Sequence, residues 1–93
     1  MLNARMEQNA SSDDARQAAI LIAAIEATEA TIAVAGALAA ERRRIDLAGL
    51  EEEVGRICAA CLAAPAGAAG AVRARLEGLL RTLDRLHGTL AEA

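Results

Sequence analysis

Near the C-terminus six aliphatic residues, Val72, Leu76, Leu79, Leu83, Leu86 and Leu90, recur at intervals of four, three, four, three and four. Alternating threes and fours follow the turn of an α-helix, so all six share one stripe, whereas in a strand they would be divided between two faces. Such a stripe is stable only against another apolar surface. On the far side Glu77 precedes Arg81 by four positions and Arg81 precedes Asp84 by three, pairs that contribute about 0.2–0.5 kcal/mol each. Gly78 and Gly88 each weaken a helix by about 1 kcal/mol relative to Ala, so packing has to hold this segment together. The spacing predicts a helix over 71–90.

A second row, Leu47, Leu50, Val54, Ile57 and Cys61, runs at spacings of three, four, three and four. Asp46 stands where an N-cap is needed, Glu51, Glu52 and Glu53 lie near the positive end of the helix dipole, and Pro65 disfavours α conformation at Ala64. The predicted helix covers 46–63, followed by a loop over 64–70 that contains Pro65, Gly67 and Gly70. Two rows joined by a short loop suggest an antiparallel helical hairpin.

The first segment is expected to be helical over 12–44, after a flexible N-terminus over 1–10. Ser11 or Ser12 would cap it, Asp13 and Asp14 would occupy its first turn, and Arg42, Arg43 and Arg44 its last. Leu21, Ile25, Ile32 and Ala39 mark one stripe, with Ile20, Val34 and Leu38 off to the side, so that only a strip carrying Glu26, Glu29 and Gly36 suits water. A helix apolar over so much of its circumference needs neighbours on more than one side. The spacing jump from Ala39 to Leu47 favours a break near Arg44-Ile45-Asp46 over one continuous helix across 12–63. A helix spanning 12–44 would be roughly 50 Å long, against roughly 30 Å for each of the others. The expected fold is therefore all-α, an antiparallel hairpin or three-helix bundle with coiled-coil-like seams. Leu50, Val54, Ile57, Leu76, Leu79, Leu83 and Leu86 form the packing seam, and Leu21, Ile25, Ile32 and Leu38 an interface for self-association.

Composition narrows the chemistry. Apolar residues make up 55% of the 93, without one Phe, Tyr or Trp, which suits closely packed helices in a single domain and supplies no base-stacking platform. All ten basic residues are Arg, a bias that with the high Ala content fits a GC-rich coding sequence, and the net charge of −3 argues against nucleic acid. Met1 to Asp14 lacks the apolar run of a secretory signal. Gln17–Ala40 has the length of a membrane span, but Glu26 and Glu29 in its middle would each cost a few kcal/mol in hydrocarbon. A cytoplasmic protein with no membrane span is the expectation.

Three motifs invite chemistry and each has a plainer reading. Cys58 and Cys61 form a C-x-x-C pair at the C-terminal end of a predicted helix, where the dipole opposes thiolate formation, and no further Cys or His completes a zinc tetrad. Two small core residues are the simpler account. Asp84 and His87 have an acid-x-x-His spacing related to that of di-iron bundles, but Asp84 falls on the outer face. Arg42-Arg43-Arg44 reads as a charged helix end. No catalytic, cofactor-binding or metal-binding residue is assigned, and the chain reads as a non-enzymatic interaction module. The alternative is a metal- or thiol-dependent bundle in which oligomerisation gathers His87, Cys58, Cys61 or Glu26.

The runs Ile25-Glu26-Ala27-Thr28-Glu29 and Asp46-Leu47-Ala48-Gly49-Leu50-Glu51, followed by a leucine-rowed last helix, resemble the small flagellar and type III export chaperones of bacteria and their helical-hairpin relatives. The resemblance spans most of the chain. It implies no enzymatic activity and a protein client held by a helix-in-groove contact, and it transfers no individual binding residue.

Overall fold

A computed structural model describes the backbone of residues 2–92 and the side chains of residues 12–92. The described residues form three helices: α1 (Leu2–Ala40), α2 (Leu47–Leu62) and α3 (Ala66–Glu92). The molecule is a rod of 62 × 17 × 15 Å.

Helix α1 begins well before the expected cap. Leu2–Ala10 is helical, so the segment expected to be flexible is absorbed into α1, and Ser12 stands inside the helix. Ser11 lies outside the residues whose side chains are described. Leu, Ala, Arg, Met, Glu and Gln in 2–8 all propagate helix well, which outweighs the local capping signal of the two serines. Asp14 therefore does not serve the N-terminus of its own helix. It lies against Gly67 in the first turn of α3, so close that a Cβ at 67 would overlap its carboxylate. A negative charge is thus placed at the positive end of α3.

The far end of α1 stops at Ala40, four residues short of the expected Arg44. Arg43 N–H donates to Leu38 O at 2.9 Å and Arg42 N–H to Ala39 O at 3.0 Å. These six-to-one and five-to-two bonds make a Schellman turn, whose left-handed position is usually glycine. Here it is Arg42, at φ 60°. Asp46 then caps α2 as expected, its Oδ1 accepting from Gly49 N–H at 2.9 Å.

The loop before α3 is shorter than its glycines suggest. Pro65 O accepts from Ala68 N–H at 2.9 Å and Ala69 N–H at 3.1 Å, so the helix starts directly after the proline. Proline is well placed at a helix start, because the amide it lacks would have had no partner there. This lengthens α3 to 27 residues and buries Ala68 completely.

One core joins the three helices. Along α1 the buried residues are Ala18, Leu21, Ile25, Thr28, Ile32, Ala35 and Ala39, an unbroken three-four alternation. They meet Leu50, Val54, Ile57 and Cys61 from α2, and Ala68, Val72, Leu79, Leu83 and Leu86 from α3, with Leu76 and Leu90 partly buried beside them. The dominant contact is α1 with α3, and that between α2 and α3 is the smallest. The expected hairpin partners are therefore not the main pair. A 16-residue α2 offers less than two-thirds the length of α3, and α1 takes the longer partner. Asp14 beside Gly67 and Glu26 beside Arg75 both advance in chain order, so α1 and α3 run parallel, whereas His87 beside Glu51 sets α3 antiparallel to α2.

Candidate interaction surface

The residues expected to meet a second chain are divided by the structure. Leu21, Ile25 and Ile32 are 5%, 0% and 2% exposed and belong to the chain's own core, while Leu38 is half-buried. The reason is length, since the extended α3 reaches alongside most of α1 and uses this stripe. The seam residues Leu50, Val54, Ile57, Leu79, Leu83 and Leu86 are buried as placed, with Leu76 at the edge.

What α1 leaves outside is the opposite row. Ile20 is 57% exposed and Val34 60%, and Ala23, Ala27, Ala30 and Ala37 are exposed with them. At 100° per residue this row lies across the helix from the buried one. Ser12–Ala40 is long and apolar enough to cross a membrane, yet only 33% of its most apolar window is buried. Between Ala18 and Ala40 its only charged side chains are those of Glu26 and Glu29.

Beside this row is a groove of about 510 Å³. Thr28, Thr31, Val34 and Leu38 form one wall, and the 44–46 linker with Gly49, Leu50 and Glu53 forms the other. It exists because the Schellman turn swings Ile45 back over α1, where it packs at the core's edge. Arg44, Asp46 and Glu53 supply charge at its rim. Sequence reasoning missed the groove. Its one signal was an aliphatic residue, Ile45, in an otherwise charged joint.

Cys61 is buried and Cys58 half-buried, and burial, with the nearby Cys58 adding to it, pushes the Cys61 thiol above its ordinary pKa. A thiol held neutral is a poor nucleophile. His87 Nε2 lies 3.2 Å from Glu51 Oε1 on α2, so its partner is not Asp84. Glu51 and Cys58 are seven residues apart on α2, roughly 10 Å along its axis, so the histidine and the cysteines are not brought together. Among the described residues no three His, Cys, Asp or Glu side chains gather where a metal ion would need them. Arg56 Nη2 bonds Glu53 Oε2 at 2.7 Å, and this bond and its charge raise the Arg56 pKa further. Arg42, Arg43 and Arg44 are all exposed, and Arg44 lines the groove.

Comparison with known protein families, with characterised proteins and with solved structures gives no match to this chain.

Proposed function

We propose that the protein is a non-enzymatic, cytoplasmic interaction module that associates with protein through the outer face of α1. The observation that carries this reading is the exposed apolar row, above all Ile20 and Val34, on a helix only one-third buried over its most apolar window. Exposed apolar surface of that kind marks an interface. The length of α1 would also suit a lipid bilayer, but its other face is committed to α3. That helix carries Arg73, Arg75, Arg81, Asp84 and Arg85 on its exposed surface, and Arg75 bonds Glu26 at 2.9 Å. Inserting α1 would mean carrying those charges into hydrocarbon or dismantling the core.

The test is light scattering after size exclusion, with refractive-index detection because the chain has no Tyr or Trp, alongside flotation with phosphatidylcholine vesicles. Association predicts a mass above the 9.5 kDa monomer and protein that stays behind when the vesicles float. Protein that floats overturns it, and protein that remains a monomer at about 100 µM, a concentration that would detect weak association, overturns self-association and leaves a different protein as the partner.

A further inference from the structure

The outer row of α1 has an internal symmetry. Ile20, Ala23, Ala27, Ala30, Val34 and Ala37 follow one another at three, four, three, four and three. When the row is reversed and laid on itself, residue numbers in each facing pair add to the same total. Ile20 then faces Ala37, Val34 faces Ala23, and Ala27 faces Ala30. Every bulky side chain meets an alanine, the alternation of large and small that lets two helices interdigitate at close range. A parallel copy would set Ile20 on Ile20 and Val34 on Val34, with gaps between alanines elsewhere.

The ends of the row supply an independent sign. One step before Ile20 in the same spacing is Arg16, and one step after Ala37 is Glu41, both exposed. Glu41 N–H still bonds Ala37 O at 3.3 Å, so it continues the line of the helix. In the antiparallel arrangement Arg16 of each copy faces Glu41 of the other. A parallel arrangement would instead bring Arg16 to Arg16, Glu41 to Glu41 and the two arginine clusters together. The mid-helix acids raise no conflict, because Glu26 comes level with Thr31, and Glu29 with Thr28, of the second copy.

We infer that the occupant of this face is a second copy of the chain, packed antiparallel through α1 about a two-fold axis between Ala27 and Ala30. This rests on the interaction reading above and adds to it the partner and the register. An isologous contact of this kind closes on itself and gives a dimer, and heptad-spaced helices in that arrangement pair unlike positions, as here.

A charge-swap cycle tests the register, with dissociation constants measured by sedimentation at low salt and helicity checked by circular dichroism. Arg16→Glu alone, or Glu41→Arg alone, creates two like-charge pairs per dimer and weakens it by about tenfold, and the double variant R16E/E41R restores wild-type affinity. The weakening shrinks as salt rises. A wild-type chain that dimerises but shows no rescue in the double variant overturns the register and leaves the interaction reading standing. Dimers whose affinity is unchanged by either single swap point to the parallel pairing, and trimers or larger rings overturn the two-fold contact. A wild-type chain that is monomeric overturns the inference alone, and one that floats with phosphatidylcholine vesicles overturns both the inference and the reading beneath it.

Discussion

Helix α1 carries two rows with the same three-four spacing and opposite fates. The inner row contains Leu21, Ile25 and Ile32 and is buried, while the outer row contains Ile20 and Val34 among four alanines and is exposed. Period alone does not distinguish them. Side-chain size does, because burying Leu or Ile contributes about 1.5–3 kcal/mol each and an alanine methyl far less, so the chain folds with its larger row inward. The outer row keeps the exposed apolar surface on which the proposed contact between folded molecules rests.

The two rows should respond most differently to a buried charge. Ile25→Glu should abolish cooperative folding, since burying a carboxylate in a fully enclosed site costs several kcal/mol. Ile20→Glu, on the outer row, should leave the helical signal and the chain's own stability within about 0.5 kcal/mol. Circular dichroism melts at a concentration low enough to keep the protein dissociated read both. Equal losses would mean that the two rows are not inside and outside.

Glycines sharpen the picture at the next scale. Gly67→Ala should destabilise the fold by about 1–2 kcal/mol, because its new methyl displaces Asp14 from the start of α3. Gly88→Ala, where the same methyl meets open space, should stabilise by about 0.5–1 kcal/mol through helix propensity. Denaturant titration of the two variants checks the opposite signs. Arg42→Gly should likewise raise stability, by about 0.5–1 kcal/mol, since glycine takes the left-handed position of the Schellman turn without strain.

The smallest effect concerns the thiols. Cys58 should react with a thiol reagent before Cys61. Because the Cys61 pKa is raised in the folded state, the unfolded chain loses its proton first as pH rises. Stability should therefore be unaffected by this group at neutral pH and decline through the alkaline range in which thiols ionise. Alkaline melts of wild type against Cys61→Ala would show it, and identical slopes would count against the assignment.

The rows on α2 and α3, the Asp46 cap and the break before α2 were legible because each is written in local chemistry: a spacing, a side-chain oxygen, a jump in register. The errors arose where tertiary contacts overrode local signals. Ser12 and Asp14 read as a helix start, but nothing between Leu2 and Ala10 stops a helix, and Asp14 serves α3 instead. Gly67 and Gly70 read as loop, but Pro65 opens a helix through them. The end of α1 lacked its usual glycine because Arg42 takes that place. Ile25 and Ile32 were expected at a contact between chains, since the reach of α3 along α1 depends on where α3 begins. The groove under Ile45 requires the turn's geometry, which no spacing encodes.

Helix α1 is proposed to turn one face to the core and the other to a partner. Replacing Ile20 and Val34 together with Glu, and measuring mass by light scattering with helicity by circular dichroism on the same sample, tests it most directly. The expected result is a wild type heavier than 9.5 kDa and a variant that runs as the monomer with its helical signal intact. A variant that keeps the wild-type mass, or that loses its helices with the charge, would contradict it.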